Sequence, residues 1–188
     1  MQTDEQLIKK ASNGDMSAFD ELVLRHNKKV MNTAYGMLSD YHDACDAAQE
    51  VFLRVYKSLS TFKGEAQFST WLYRVTANVC NDILRKRKKH TAISLDRDDE
   101  SPHSEIPDDG ASPHERAEEN ELQKLVRSEV ARLPEDYRTV LTLYEFENLQ
   151  YDTIAEILKI PIGTVKSRIS RAKKALRKNL EEKRELFL

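Results

Sequence analysis

Thiols are scarce in this chain of 188 residues: Cys45 and Cys80 stand alone, with no CxxC pair and no Cys/His spacing near either. A zinc site therefore has no ligand set, and buried thiols are the expectation for both. Gly and Pro number only five each, so few breakers interrupt the pattern and helices are favoured. No run of about 18 apolar residues occurs, and no charged-then-apolar leader opens the chain. A membrane span and export are not expected, which places the protein in the cytoplasm and makes a disulfide unexpected there. Also missing are a Gly-rich phosphate loop, a Ser/His/Asp constellation, an internal repeat and a sustained heptad pattern. No catalytic residues, no cofactor and no metal are assigned.

What the chain has in quantity is charge, and it is segregated. Lys and Arg total 30 against 32 Asp and Glu, a formal net charge of −2. Residues 159–188 nevertheless hold ten Lys/Arg against three Glu, and residues 85–89 read RKRKK. Between these blocks, residues 91–120 hold two Arg against ten Asp/Glu. Two basic regions joined by an acidic connector suit a polyanionic partner that the overall balance conceals.

Residues 151–178, YDTIAEILKIPIGTVKSRISRAKKALRK, contain two short helical patterns that meet at a turn. Ile154, Ile157 and Leu158 share one face of the first. Pro161 and Gly163 should stop it, and Thr164 should cap the second, whose Val165, Ile169, Ala172 and Leu176 form a buried stripe. The opposite face carries Ser167, Ser170, Arg171 and Lys174, flanked by Lys166 and Arg168. A helix-turn-helix with that face fits a DNA major groove, where cations reach guanine or phosphate and hydroxyls bond either.

Upstream, Thr3 with Gln6 resembles a capping box, with Leu7, Ile8 and Ala11 as a short apolar face and Gly14 as the stop. A longer helix runs from Asp15 through Phe19, Leu22, Val30 and Met37, with His26 on its core stripe and no metal partner near. A third, from about Asp43 to Leu59, buries Ala44, Ala48, Val51, Phe52, Val55 and Leu59 and leaves Asp46, Gln49, Glu50, Leu53 and Lys57 outside. Leu53 is either an ordinary exposed leucine or the apolar knob of a docking face. After a loop at residues 63–67, a helix from Ser69, as N-cap, to Arg87 buries Leu72, Val75, Val79 and Ile83. Trp71, Arg74, Asn78, Asn81 and Arg85 form a ridge roughly opposite, a surface for stacking, phosphate contact and base-edge bonding of opened or single-stranded nucleic acid. The alternative for Trp71 is a place partly in the core.

Residues 91–118, with Pro102, Pro107 and Pro113 and no apolar periodicity, read as a flexible linker. Its carboxylates lack a rigid shell for acid-base or metal chemistry, and His103 and His114 are solvated. A second domain starts near Glu119 with Leu122, Leu125, Val126 and Val130. A helix beginning at Pro134-Glu135-Asp136 then buries Tyr137, Val140, Leu141 and Tyr144, and the helix-turn-helix packs on this pair. The expected architecture is all-α: two small helical domains and a flexible acidic linker.

These stretches resemble the bacterial RNA polymerase sigma factors of the extracytoplasmic-function (ECF) type. DACDAAQEVFLRVYKSL is similar to the region-2 helix that docks on the polymerase clamp coiled coil, FKGEAQFSTWLYRVTANVCNDILRKRKK to the segment that melts and reads the minus-ten element, and LPEDYRTVLTLYEFENLQYDTIAEILKIPIGTVKSRISRAKKAL to region 4, which binds the minus-thirty-five element. The resemblance implies region 2 over residues 1–90, a linker over 91–118 and region 4 over 119–188. It implies polymerase contacts by Asp46, Gln49, Glu50 and Leu53, and minus-ten contacts by Lys63, Gly64, Gln67, Phe68, Trp71, Arg74, Asn78, Asn81, Arg85 and Lys86, with residues 63–68 and Asn78 around a flipped base. Minus-thirty-five contacts fall to Thr164, Lys166, Ser167, Arg168, Ser170, Arg171 and Lys174. Core RNA polymerase (clamp coiled coil and flap), promoter DNA and an anti-sigma factor are the implied partners, in a stress or envelope response. The linker would thread the polymerase RNA exit path. The chain departs from many members at Cys45 and Ala48, where a Glu and a Leu or Ile are common. A stand-alone helix-turn-helix regulator, which would bind a symmetric duplex without polymerase, and an RNA-binding adaptor are the rival readings.

Overall fold

The computed structural model describes residues 2–62, 64, 66–94 and 121–186, and among these every regular element is helical. Lys63 and residues 95–118 of the expected linker, with His103 and His114, lie outside the described residues. Helix α1 (Asp4–Ser12) starts at a capping box in which the Thr3 Oγ1 accepts from the Gln6 N–H at 3.3 Å and the Thr3 N–H donates to Gln6 Oε1 at 3.0 Å. It ends before Gly14, whose φ of 92° suits glycine. Helix α2 (Met16–Leu38) is capped by Asp15, which accepts from the Ala18 N–H at 3.2 Å. Helix α3 (Tyr41–Ser58) begins two residues ahead of Asp43, because Asp40 caps it by accepting from the Asp43 N–H at 2.9 Å. A 3₁₀ turn, Leu59–Thr61, follows.

Helix α4 (Phe68–Ser94) is longer at both ends than the sequence suggests. The Trp71 N–H bonds to the Gln67 carbonyl at 3.1 Å, so Ser69 lies inside the first turn and is not the cap. The helix also runs through residue 94, into the expected linker. Helices α5 (Glu121–Ala131) and α6 (Glu135–Leu141) are joined through Leu133 and Pro134, and α6 widens into a π-helical turn, Thr142–Phe146. Helix α7 (Tyr151–Leu158) stops at Lys159, whose φ of 53° is left-handed, rather than at Pro161 or Gly163. Helix α8 (Ile162–Leu186) starts early enough that the Thr164 and Val165 N–H groups both bond to the Pro161 carbonyl, at 2.8 and 3.1 Å. Thr164 is thus a first-turn residue and not a cap.

Helices α2, α3 and α4 pack around Leu22, Val30, Met37, Ala44, Val51, Val55, Leu72 and Val79, all buried. Burial of each larger side chain is worth about 1.5–3 kcal/mol. Ala47 is fully buried where the sequence reading overlooked it, while Phe52 is only half-buried. His26 is a core residue, as expected: its Nε2 lies 2.8 Å from the Asp4 carboxylate and its ring meets Phe68 edge-on. Burial pushes the Asp4 pKa up, but hydrogen bonds from Arg25 and His26 outweigh it and hold the carboxyl below its ordinary value.

The hydrophobic cluster does not stop at α4. Val140, Leu143, Ile154, Ile157, Val165 and Ile169 belong to it, and a smaller cluster of Val130, Leu133, Leu141 and Ala172 joins α5, α6 and α8. Residues 138–143 are consequently all buried, because α6 has neighbours on two sides, α2 and α8. Where α2 meets the π-helical turn, a Cβ placed on Gly36 would stand 2.5 Å from Thr142 Cγ2, so only glycine allows this approach. Buried Arg138 joins both parts: its Nε donates to the Met37 carbonyl at 2.8 Å and its Nη1 to the Ala131 carbonyl at 2.6 Å.

Candidate nucleic-acid interface

Helix α8 buries Val165, Ile169 and Ala172, which turns Lys166, Ser167, Ser170, Arg171 and Lys174 to solvent. Ser167 Oγ donates to the Thr164 carbonyl at 3.0 Å and keeps its lone pairs for an incoming donor. Lys166, Arg171 and Lys174 have no acidic partner among the described residues, so their charge is available to phosphates. Lys166 also lies 6.0 Å from the Tyr151 ring centroid. Arg168 differs: it is half-buried and held by Asp136 at 2.7 Å. Lys173, overlooked in the sequence, is held by Glu145 at 2.6 Å and the Tyr144 ring at 4.8 Å. The helix-turn-helix thus offers a cationic and hydroxylic face about three turns long.

The α4 ridge is only partly open. Asn78, Asn81, Arg85 and Lys86 are exposed, as are Gly64 and Gln67 in the preceding loop. Gly64 has a φ of 71°, a conformation that favours glycine. Phe68 departs from its expected place in a base pocket: it is buried, 7% exposed, as the first residue of α4. Trp71 is half-buried, its ring 5.1 Å from Phe62 and 5.7 Å from Phe68, so the free stacking plate expected of it is largely occupied by the core. Arg74 is half-buried and paired with Glu156 of α7 at 2.6 Å. Asn81 and Arg85 line a cleft of about 350 Å³ that also receives Arg168 from α8. Of the nominated α8 residues only Arg168 lines this cleft, opposite Asn81 and Arg85.

The outer face of α3 presents Asp46 and Gln49, with Leu53 at 53% exposure. Tyr56, one turn on and 44% exposed, adds a second apolar group that its i+3 spacing from Leu53 would have revealed. Glu50 is half-buried and bonded to Arg54 at 2.7 Å, and Arg54 reaches Asp82 of α4 at 3.2 Å. These pairs fix α3 against α4. Elsewhere, burial pushes the Cys80 thiol up to about 12, which leaves almost no thiolate at neutral pH. No helix among the described residues is long and apolar enough to cross a membrane.

Comparison with known proteins assigns both halves. Sigma-70 region 2 matches residues 22–90, and Sigma-70, region 4 matches residues 123–176. The RNA polymerase sigma-H factor of Pseudomonas aeruginosa is 37% identical over 95% of this chain and 94% of its own length. The ECF RNA polymerase sigma factor SigW of Bacillus subtilis is 37% identical over 93% of this chain and 95% of its own. This chain belongs to the ECF RNA polymerase sigma factors. Its fold is shared with the sigma factor RpoE of Bartonella quintana, solved with the anti-sigma factor NepR, at a TM-score of 0.68 and 24% identity over 87% of this chain and 96% of that one. ECF sigma factors are DNA-binding regulatory subunits, and this one binds core RNA polymerase and directs promoter-specific initiation. The region-2 match takes in α3 and α4, which a stand-alone helix-turn-helix regulator would not need.

Proposed function

We propose that the two parts of this ECF sigma factor divide promoter recognition between duplex and melted DNA. Residues 119–188 grip the minus-thirty-five duplex, with α8 in the major groove. Lys166, Arg171 and Lys174 contact phosphate or guanine edges, Ser167 and Ser170 bond bases or backbone, and Thr164 and Arg168 complete the edge of the face. Residues 1–90 take the minus-ten element. Gly64, Gln67, Asn78 and Asn81 hold unpaired bases, Arg74, Arg85 and Lys86 hold the separated strands, and Trp71 offers the ring edge left open by the core. Lys63 is assigned here by resemblance alone. Phe68 serves by shaping the loop from the core beneath it. Asp46, Gln49, Glu50 and Leu53 dock on the polymerase clamp coiled coil, and region 4 rests on the flap. An anti-sigma factor is the further partner, by analogy with the solved relative that carries one. The setting is the cytoplasm, in a stress or envelope response.

The observation that carries this reading is the pairing of an unneutralised cationic face on α8 with exposed amides and cations on α4. A duplex reader needs only the first; a protein that holds opened strands needs both. Flipping and unpairing cost a few kcal/mol per base, which pocket and stacking contacts offset at about 1–3 kcal/mol per base. Linking two weak readers makes the second contact intramolecular, so neither has to bind tightly alone. The chain makes and breaks no bond itself; polymerase supplies the chemistry. Run-off transcription on pooled genomic fragments tests the assignment. Core polymerase with this chain is expected to start at discrete promoters that core polymerase alone ignores, and the absence of any such start overturns it.

A further inference from the structure

His26 lies buried on α2, too deep to touch DNA or polymerase itself. It is nevertheless held on every side. Its Nε2 lies 2.8 Å from Asp4 Oδ2, and Arg25 donates to Oδ1 of the same carboxylate at 2.6 Å. An ionised carboxylate only accepts, so Nε2 carries the hydrogen of this bond and the ring cannot turn over without breaking it. With Lys29, Val30, Ser69, Leu72 and Tyr73 the ring lines a gap too narrow to hold a water molecule, which leaves it no room to swing. Its Nδ1 is buried with no hydrogen-bond partner among the described residues, a cost that offsets what the bond to Asp4 contributes. Net stability therefore gives little reason for a histidine at this place. The remaining contact is Phe68, which the ring meets edge-on with centroids 5.2 Å apart.

Phe68 is the first residue of α4 and closes the loop at residues 63–67; Phe62 opens it. The two rings meet at 5.8 Å, and Trp71 lies 5.1 Å from the first and 5.7 Å from the second. The loop thus rises from two aromatic feet, and His26 meets one of them from α2. A shift of Phe68 carries Gln67, its exposed neighbour in the chain, and the first turn of α4 with it. Groups that read a base must be held to within about 0.5 Å of their working geometry by side chains that are themselves locked. The Asp4–His26–Phe68 chain of contacts is such a lock.

We infer that His26 is a positioning residue for minus-ten recognition: oriented by Asp4, it holds Phe68, and through Phe68 it sets the loop at residues 63–67 against the unpaired base. This rests on the assignment of that loop to the minus-ten element and adds the residues that fix its geometry. Neither His26 nor Asp4 touches DNA. Their effect falls on selectivity among minus-ten sequences, whereas α8 and its grip on the upstream duplex are independent of them.

The test is run-off with core polymerase on a promoter fragment that the wild-type chain transcribes and on derivatives that each replace one base of the minus-ten element. Selectivity is the ratio of products from the two kinds of template. A folding defect lowers run-off from every template alike and leaves this ratio unchanged. His26→Leu and Asp4→Ala are each expected to lower the ratio about fivefold, within the range for coupled neighbouring residues, with upstream protection intact. Asp4→Asn, whose amide oxygen still accepts from Nε2, is expected to restore most of it. Because Asp4 acts through the ring, Asp4→Ala combined with His26→Leu is expected to lose no more than His26→Leu alone. Should His26→Leu fail to fold, the Asp4 variants decide, since that side chain is 30% exposed and stands outside the core. An unchanged ratio in Asp4→Ala overturns the proposal, and so does an additive loss of about 25-fold in the double variant. A wild-type ratio near one would instead overturn the assignment of residues 63–68 to the minus-ten element.

Discussion

At the residue scale, local chemistry was legible where one side chain serves one neighbour. Thr3 and Gln6 cap α1 as their spacing indicates, since a cap needs only residues within one turn. Ser69 and Thr164 misled for the same reason in reverse. A hydroxyl residue near a helix start marks that start within a turn, and Gln67 and Pro161 supply the backbone carbonyls at the true ends. Gly163 follows from this correction. It has no left-handed φ, and a Cβ there meets nothing within 4 Å. Gly163→Ala is expected to stabilise the chain by about 0.4–1 kcal/mol in urea unfolding, because it removes freedom only from the unfolded state. A loss of stability would show that the α8 start is not helical in solution. Asp4 makes a second prediction. Its carboxyl is held below the ordinary value of 3.8, so the stability it contributes is present above that value and is lost as pH falls through the lowered one. Urea unfolding between pH 7 and pH 3 should show this loss, and Asp4→Asn should flatten it. An unchanged pH slope in the variant would refute the Asp4–His26–Arg25 contact.

At the element scale, helix existence and the buried stripes of α2, α3 and α8 could be read from 3.6-residue periodicity. The π-helical turn at Thr142–Phe146 and the six consecutive buried residues before and within it could not. Periodicity assumes one buried face, whereas α6 is covered by α2 on one side and α8 on the other. Phe68 shows the same limit. Its place in a sequence resembling a base pocket hid its contacts with His26, Phe62 and Trp71. Phe68→Ala should therefore cost about 3–5 kcal/mol of stability. A near-neutral effect on unfolding would return Phe68 to the pocket. On α3, Leu53→Ala should change stability by less than about 0.5 kcal/mol, since the residue is 53% exposed, while weakening binding to core polymerase several-fold. Unchanged polymerase affinity would leave Leu53 an ordinary surface leucine.

At the scale of the whole molecule, the order of basic ridge, acidic connector and basic helix was visible as charge segregation, and it carried the two-reader organisation. The packing of one reader against the other was not visible. It joins Tyr73 to Glu147 and Met37 to Arg138, pairs separated by 74 and 101 residues, through single side chains that no short-range pattern marks. The same packing explains why the ridge inferred from α4 alone is only partly open in the free chain. The division of labour between the readers is the central claim, and strand opening measured by permanganate reactivity, together with upstream protection, tests it on promoter complexes of core polymerase with wild-type, Asn78→Ala or Arg171→Ala protein. Asn78→Ala should reduce reactivity in the minus-ten region while upstream protection persists, and Arg171→Ala should weaken upstream protection first. Identical footprints and reactivities for the two variants would contradict the claim.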